Sequence, residues 1–336
     1  MDTNILAAII AMVAISILYI FLYFKGANIA IFATTIDFMQ LLVFLLIYPF
    51  LWLISILPHR LFYAFSDVAF FFVYQVFGYR RKVVQENLNL VFPQKSASEI
   101  HTIEKAFYHH LCDTFLEMIK SMSLSKKQVL KKYEVVNVEL LREIEKKNSI
   151  IILCAHYANW EWNVSINNYV ESKGYAVYQK INNAYFDRFV RKVRARWNTT
   201  LITQPQTAKT IIKNYRENIR AAYGMVSDQS PQVSRAQYWT DFMGITVPIF
   251  NGGELLARKT GLAVVFLKVS KVKRGHYKAE LIPITLNGKE TVEHEITNKF
   301  LRLTEAQIRE KPEHYLWTHK RWKHRDKKPN RFAEVS

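Results

Sequence analysis

The chain has little cysteine and little glycine. Its 336 residues include only two cysteines, Cys112 and Cys154, and 10 glycines. Two cysteines cannot form a disulfide framework, which favours a reducing compartment. Cys154 lies in an apolar run, so we interpret it as a packing residue and not as a nucleophile. Neither a Walker loop nor a Gly-x-Gly-x-x-Gly loop occurs, which argues against nucleotide chemistry, and no cofactor is expected.

Acidic residues are also scarce. Aspartate and glutamate total 28 against 46 lysines and arginines, which gives a net charge of +18. The excess is uneven, because residues 1–78 carry −1 and the remainder carries +19. We call residues 1–78 the head and residues 79–336 the body of the chain. An apolar head followed by a basic body indicates a membrane enzyme that faces anionic lipid or an acidic partner. No helix-turn-helix, zinc-finger or RNP signature is present, so no nucleic-acid partner is expected.

Three apolar runs occupy the head of the chain. Residues 5–24 are 20 residues without a charge, which at 1.5 Å per residue matches a hydrocarbon core of ~30 Å. Residues 41–57 are just long enough to span a bilayer or to lie in its interface. Residues 61–77 are interrupted by Asp67 and are typical of an interfacial or buried helix.

These runs divide the chain into three segments. We assign residues 1–24 as a transmembrane helix, 25–78 as a second hydrophobic or interfacial membrane segment, and 79–336 as the cytosolic domain. The basic residues that follow the runs place the domain in the cytoplasm by the positive-inside rule; they are Arg60, Arg80, Arg81 and Lys82. Whether the head crosses the membrane once or twice stays open.

The stretch 149–162 carries the candidate catalytic residues. Its branched apolar start predicts a strand buried on both faces, and His156 follows at the carboxyl end, where α/β sheets usually place their chemistry. Imidazole accepts a proton near neutral pH, and Glu161 would orient the ring. No Gly-x-Ser-x-Gly elbow is near, so His156 would activate a hydroxyl or amine of the substrate. The alternative is a buried histidine that caps a helix, with Glu161 exposed.

Strands and helices alternate along the rest of the chain. Ser96 and Glu99 form a capping-box pattern before a helix, and apolar runs follow at strand and helix spacing. The alternation predicts an α/β fold with a mostly parallel central sheet flanked by helices, after the N-terminal membrane helices. His109, His110 and Cys112 share one helix, but adjacent residues point to different faces, so no metal site is expected.

Two further clusters are candidates for binding. Residues 185–197 predict a helix rich in arginine, which is either a solvated face or a clamp for phosphate or carboxylate. Asp228 and Gln229 close a predicted strand and would lie at the same carboxyl edge as His156. The basic, aromatic segment 314–323 would bind a membrane surface, phosphates or a carrier protein, or pack its tryptophans on the core.

Taken in order, these motifs resemble the late acyltransferases of lipid A biosynthesis, over roughly residues 45–325. Asn159-Trp-Glu is similar to the Bacteroidetes branch of that family, which shares its superfamily with the lysophospholipid acyltransferases. Where many members have Tyr-Arg-Pro, this chain has Tyr178-Gln179-Lys180, so one basic contact is lost or replaced. The matching motifs are His156-x4-Glu161, the arginine helix, Asp228-Gln229, Gly252 to Gly261 and Tyr315 to Lys323.

The resemblance implies transfer of a fatty acyl group from acyl carrier protein to a hydroxyl of a lipid, such as a phosphorylated glycolipid, at the inner membrane. His156 would be the general base and Glu161 its orienting partner. The implied substrate-binding residues are Asn159, Arg194, Arg196, Asp228 and Gln229. A lysophospholipid, aminolipid or other glycolipid as acceptor stays open, as does a membrane-anchored polyanion-binding protein without catalysis. Acyl chain length and the choice between carrier-protein and coenzyme A donors are also open.

Overall fold

The computed structural model describes residues 29–329 and Phe332, with side chains from Asp37 onward. The predicted first span, residues 5–24, lies outside this part. Helix α1 is Ile29–Ile56 and contains Pro49. Its segment Asp37–Ile56 has a mean hydropathy of 2.2, and within the described residues it is the one helix long and apolar enough to cross a membrane by itself.

The third apolar run is also helical. Helix α2, His59–Phe70, continues into one π-helical turn, Phe71–Val76. Helix α3, Arg81–Val91, follows at an angle of 85°. Buried and exposed positions alternate at helical spacing along α2, with Phe62 and Ser66 inside and Leu61 and Phe65 outside. One side of α2 therefore packs on the protein and its other side is an exposed apolar surface.

Helix α4 is the longest helix of the body. Ser96 begins it with the predicted capping box: its hydroxyl accepts from the backbone N–H of Glu99 at 3.3 Å, and the Glu99 carboxylate accepts from the backbone N–H of Ser96 at 2.9 Å. Reciprocal bonds of this kind satisfy two amides that the helix itself leaves unpaired. The remaining helices are α3 Arg81–Val91, α4 Ala97–Lys120, α5 Lys126–Lys132, α6 Val138–Lys147, α7 Ala184–Ala195, α8 Gln204–Arg216, α9 Gly252–Thr260 and α10 Glu295–Glu310.

A seven-stranded sheet forms the centre, with strand order β1-β9-β8-β2-β5-β3-β4. All neighbouring pairs are parallel except β8 and β9, which are antiparallel. This confirms the predicted α/β fold with a mostly parallel sheet. The strands are β1 Tyr133–Val135, β2 Ile150–Cys154, β3 Lys173–Tyr178, β4 Thr199–Thr203, β5 Ala221–Val226, β8 Ala263–Lys273 and β9 His276–Thr285, with β6 Tyr238–Phe242 and β7 Ile245–Ile249 as a separate antiparallel pair.

Strand β2 lies in the middle of the sheet, and each of its five residues is buried. Helices cover both faces, which is why an unbroken apolar run is required there instead of an alternating one. After β2 the chain forms a 3-10 helix, Trp160–Asn168. The side chain of Asn137, just before helix α6, pairs with the backbone of Leu281.

Candidate active site

The register of two neighbouring strands brings His156 and Asp228 together. Strands β2 and β5 are parallel, and Cys154 at the end of β2 is paired with Val226 at the end of β5. His156 and Asp228 each stand two residues beyond that pair, so both lie at the carboxyl edge of the sheet. The imidazole Nδ1 is 2.8 Å from Asp228 Oδ1, and the backbone N–H of His156 donates to the same oxygen at 3.0 Å.

Asp228 is buried, and its surroundings keep it ionised. Burial by itself raises the pKa of the carboxyl group, but the charge of the His156 ring and the hydrogen bonds that His156 donates outweigh burial, so the pKa of Asp228 is below its ordinary value. An ionised carboxylate only accepts hydrogen bonds, so Nδ1 of His156 carries its proton. In the neutral ring Nε2 then carries an unprotonated lone pair, which is the state that a general base needs.

The Nε2 side of the ring faces a cavity. Gln229 places its amide nitrogen 3.4 Å from Nε2, and the indole of Trp160 packs edge-on with its ring centre 5.7 Å from that of the imidazole. His156, Trp160 and Gln229 all line the cavity. The histidine is therefore not sealed in the core, as the alternative interpretation required.

The C-terminal segment fixes the backbone of the histidine loop. The carbonyl of His156 accepts from the N–H of Leu316 at 3.1 Å, and the N–H of Ala158 donates to the carbonyl of His314 at 2.9 Å. Ala158 has a φ of 50°, in the left-handed region. A side chain there is strained, so these bonds hold a turn that the loop would not favour alone.

Glu161 does not contact His156 in the manner predicted. Its Oε2 accepts from Arg194 Nη2 at 2.6 Å, and both side chains line the cavity. The predicted orienting carboxylate is therefore wrong in this geometry, where Asp228 has that position. The physical reason is the turn at Ala158. After this turn the 3-10 helix begins and directs Glu161 toward α7, whereas Nδ1 of His156 faces the loop that follows β5.

Asn159 and Arg196 do not line the cavity. Asn159 is fully buried, accepts from the N–H of Trp162 at 3.0 Å and donates to Glu117 at 2.7 Å, so it begins the 3-10 helix and anchors it to α4. Arg196 donates to the carbonyls of Ser121, Met122 and Leu124, just after α4. These positions do not support the predicted role of either residue in substrate binding.

The cavity has a volume of about 480 Å³ and a mainly apolar wall. Its floor is a row of register partners on four neighbouring strands, which point to the same face of the sheet. The two central members, Gly224 and Ala176, are small, and a Cβ on Gly224 would meet only the carbonyl of Tyr175 at 3.6 Å. The row therefore leaves a shallow channel across the sheet; its members are Ile152, Gly224, Ala176 and Leu201.

The cavity also reaches around the sheet edge. Ala176 and Val177 are consecutive strand residues and so point to opposite faces, yet both line it. On the second face the wall includes Met225 and Leu256, from β5 and α9. An apolar space is thus available on either side of the edge at which His156 stands.

Neither cysteine is suited to act as a nucleophile. Cys154 lines the cavity, but burial raises the pKa of its thiol to about 12, and the sulfur lies 3.5 Å from the carbonyl of Met225. Burial likewise raises the pKa of Cys112 to about 12. The thiolate is the reactive form, so both remain inert near neutral pH.

The contacts of His109 and His110 in α4 are not those of metal ligands. His109 pairs with Asp67 at 3.0 Å, and His110 lies 3.2 Å from Lys271 with its ring against His314. Within the described ranges, no group of three or more His, Cys, Asp or Glu side chains is arranged to hold a metal ion.

Residues 314–322 support the site from the C-terminal part of the chain. Trp317 and Trp322 are buried and stacked with their ring centres 5.9 Å apart. Arg321 is fully buried and donates to Ser230 at 3.0 Å, next to Gln229. The segment packs on the core, as one of the two sequence interpretations held. It also bonds to both loops of the site, a role that no local signal in the sequence indicates.

A model of the bacterial lipid A biosynthesis acyltransferase family matches residues 29–324. The chain belongs to this family. The match includes both strands that carry the histidine and aspartate loops, and also the segment 314–322. It confirms the resemblance found from the sequence motifs. Membership of the family supports an acyltransferase that acts in lipid A biosynthesis.

Curated relatives are distant in sequence. The chain is 24% identical to a lipid A biosynthesis palmitoleoyltransferase of Escherichia coli K12 over 258 residues, which are 73% of this chain and 79% of the relative. It is 24% identical over the same shares to a lipid A biosynthesis acyltransferase of Shigella flexneri. A lipid A biosynthesis lauroyltransferase of Escherichia coli K12 is 23% identical over 286 residues, 82% of this chain and 89% of the relative.

Proposed function

We propose that the protein is a membrane-bound O-acyltransferase. It transfers a fatty acyl chain from acyl carrier protein to a hydroxyl of a lipid A precursor, at the inner membrane and with its catalytic domain facing the cytoplasm. The observation that carries this proposal is the His156–Asp228 pair at 2.8 Å, with the second ring nitrogen open to an apolar cavity. Family membership supplies the class of acceptor.

The reaction follows from the positions of these groups. Nε2 of His156 removes the proton of the acceptor hydroxyl as the oxygen attacks the carbonyl carbon of the acyl thioester. Asp228 stabilises the imidazolium that forms. The tetrahedral intermediate then collapses, the carbon–sulfur bond breaks, and the imidazolium returns the proton to the leaving thiolate. The thioester is already activated, so the enzyme needs to supply only a base, an oxyanion donor and correct placement of both substrates.

Gln229 is the side chain that we assign as the oxyanion donor. Its amide nitrogen is 3.4 Å from His156 Nε2, so it reaches the space where the hydroxyl and the thioester carbonyl meet. A neutral amide can donate to a developing negative charge without competing for the proton that the histidine removes. This keeps Gln229 among the substrate-binding residues that the sequence predicted.

The Glu161–Arg194 pair supplies the anion-binding part of the site. Arg194 is partly buried on the cavity wall, and its guanidinium fork suits a phosphate of the acceptor or of the donor's prosthetic arm. In the structure Glu161 pairs with that charge at 2.6 Å. A bound phosphate would compete with Glu161 for Arg194, so we assign Glu161 to substrate placement and not to orientation of the histidine.

The channel over Gly224 is the site that we assign to the acyl chain. It begins beside His156 and is lined by aliphatic and aromatic side chains, and the cavity volume is within the range of ~300–1,000 Å³ usual for ligand sites. An apolar chain gains free energy by leaving water for such a wall, at about 0.8 kcal/mol per methylene.

The proposal is tested with purified protein, acyl carrier protein loaded with a fatty acid, and a lipid A precursor, followed by mass spectrometry of the lipid product. We expect His156→Ala to lose the mass increase of one acyl group while it keeps its melting temperature. His276→Ala, which changes a histidine outside the cavity, is the matched control and should remain active. Full activity in His156→Ala would overturn the assignment of the base.

The acceptor is tested separately by lipid profiles of a strain that lacks the gene. We expect lipid A species that are lighter by one acyl chain. A change confined to lysophospholipids, aminolipids or other glycolipids would contradict lipid A as the acceptor, while the acyltransferase chemistry would stand.

A further inference from the structure

We propose that helix α1 lies in the plane of the bilayer and does not cross it. Together with α2 it forms one face that is immersed in a single leaflet of anionic lipid. This inference concerns the way in which the protein sits on the membrane, and it does not depend on the reaction that it catalyses. It begins from the contacts of α1, which are distributed along its whole apolar length.

The N-terminal part of the apolar segment is bonded to the start of α7. Gln40 accepts from the backbone N–H of Ala184 at 3.0 Å through its side chain, and its carbonyl accepts from Asn183 at 3.1 Å. One turn earlier, the Asp37 carboxylate accepts from the hydroxyl of Tyr185 at 3.2 Å. The first residue of the candidate span is therefore in contact with the body of the protein.

The middle of the segment packs on α7 through aromatic rings. The rings of Phe44 and Phe186 have their centres 5.2 Å apart, and those of Tyr48 and Phe189 lie 5.3 Å apart. Partly or fully buried positions continue at helical spacing from Gln40 to Ser55. This periodic stripe shows that one side of α1 rests on the protein over the entire length that a crossing would need.

The C-terminal end is fixed to the end of α4. The carbonyl of Ser55 accepts from the hydroxyl of Ser123 at 2.5 Å, and the carbonyl of Leu57 accepts from the ammonium group of Lys120 at 2.6 Å. A helix of 20 residues is ~30 Å long, the thickness of the hydrocarbon core. Both ends of such a length are held by the same globular body.

A crossing in this arrangement would draw α7 into the hydrocarbon. Helix α7 carries Arg188, Arg191 and Lys192 as exposed cations. Charged side chains in a bilayer core are strongly disfavoured. With α1 parallel to the surface, the same cations lie at the depth of the lipid headgroups, where anionic lipids attract them.

The outward sides of α1 and α2 supply the apolar surface. Fifteen of the twenty-two large apolar side chains exposed in the described part of the chain lie between Phe38 and Phe77. Exposed Arg60 and Lys82 flank this surface. An apolar face bordered by cations is typical of a helix in the interface of anionic lipid. The fifteen are Phe38, Leu42, Leu45, Leu46, Phe50, Trp52, Leu53, Ile56, Leu61, Phe65, Val68, Phe71, Phe72, Val76 and Phe77.

Depth measurements test the orientation. Binding to vesicles alone is uninformative, because the predicted span at residues 5–24 would hold the chain on a membrane whatever α1 does. Nitroxide labels are therefore placed on Phe38→Cys, Leu46→Cys and Leu53→Cys, one at a time, in the full chain reconstituted in vesicles of phosphatidylethanolamine and phosphatidylglycerol. Both native cysteines are buried, which limits background labelling.

We expect all three labels to lie at one depth within the same leaflet, as measured by the ratio of oxygen to nickel-chelate accessibility. Val292→Cys, on an exposed apolar residue of the body, is the matched control and should be accessible to water. A label at position 46 in the bilayer centre, with 38 and 53 at opposite surfaces, would overturn the proposal. Labels inaccessible to both reagents would indicate a second copy on this face and would also overturn it.

A sidedness experiment gives an independent reading. A membrane-impermeant maleimide should modify Asp37→Cys and Val292→Cys from the same side of sealed vesicles. Modification of the two from opposite sides would show that α1 crosses, and it would overturn the proposal.

Discussion

The two residues that we propose as the base and its orienting partner, His156 and Asp228, are 72 positions apart in the chain. They meet because each follows its strand by two residues and because the strands are in register. Sequence spacing pointed instead to Glu161, which is near His156 along the chain but faces α7. Register between non-consecutive strands is not encoded in local spacing. The sequence therefore placed His156 and Asp228 at one sheet edge but did not predict that the histidine pairs with Asp228 instead of Glu161.

The two carboxylates are distinguished by substituting each with its amide. Asp228→Asn removes the charge that stabilises the imidazolium and favours the wrong ring tautomer, so we expect kcat to fall by about 10³–10⁴. Glu161→Gln breaks only the charge pair with Arg194, so its main effect should be on KM for the acceptor, with a loss of less than about tenfold in kcat. Steady-state kinetics at saturating donor measure both. An equal or deeper loss of kcat in Glu161→Gln would contradict the assignment.

Gly224 sets the room available in the acyl channel. A new Cβ there makes only an ordinary contact, so Gly224→Ala and Gly224→Val should fold, and each added methyl should fill part of the channel. We expect kcat/KM for the longest accepted acyl chain to fall first, by about fourfold for each methylene that is excluded. The measurement is a series of acyl carrier protein donors of increasing chain length.

In the Gly224 series, the shortest donor that the wild type accepts is the internal control. Equal losses for all chain lengths would indicate general damage to the sheet and not a channel for the acyl chain.

At the scale of elements, the sequence predicted those with strong local signals. The capping box at Ser96 and the apolar run of β2 each act on their own segment, and the structure confirms both. Strand β4 escaped notice because Thr199–Thr203 is short and mostly polar, and its order depends on pairing with β3. Arg194 and Arg196 are only two residues apart and were predicted as one cluster. Helix α7 ends between them, so Arg194 lines the cavity and Arg196 bonds to the chain that follows α4.

A buried histidine of the C-terminal segment, His319, makes the free energy of unfolding depend on pH. Burial is the main cause that lowers the pKa of His319 to about 3, so the folded protein keeps it neutral, while the unfolded chain binds a proton below pH 6.5. Stability is therefore lost as pH falls from about 6.5 toward 3, because the unfolded state takes up more protons. The limiting slope is about 1.4 kcal/mol per pH unit for one such group.

The expected signature is a smaller acid-induced fall in the free energy of unfolding for His319→Gln than for the wild type. Between pH 8 and pH 5 the difference should be about 2 kcal/mol, measured by denaturant unfolding in detergent. The pH 8 comparison serves as the control for any loss of packing. Parallel curves for the two proteins would refute the role of His319.

At the scale of the whole molecule, charge and apolar surface are on different parts of the chain. Residues 79–336 carry +19 of charge, while the large exposed apolar residues are concentrated in α1 and α2. Composition alone predicted this division. The sequence left undecided whether the second apolar run lies in the bilayer plane, because hydropathy measures the preference of a helix for lipid and not which neighbours it packs on.

The basic body should speed encounter with an acidic donor protein. Electrostatic steering weakens as salt shortens the Debye length, so we expect kcat/KM for the carrier-protein donor to fall by about tenfold between 0.05 and 0.5 M salt. The same acyl group on coenzyme A carries less charge and is the control, with a shallower dependence. Identical salt curves for the two donors would contradict an acidic carrier protein as the natural partner.

The backbone bonds between residues 314–316 and the histidine loop also have a consequence for biosynthesis. A ribosome has produced the apolar helices and both site loops long before it reaches Leu316, whose amide supports His156. We therefore expect a chain truncated before residue 314 to keep the apolar helices and to lack the backbone support of the histidine loop. Such a product would bind lipid and would not transfer acyl groups.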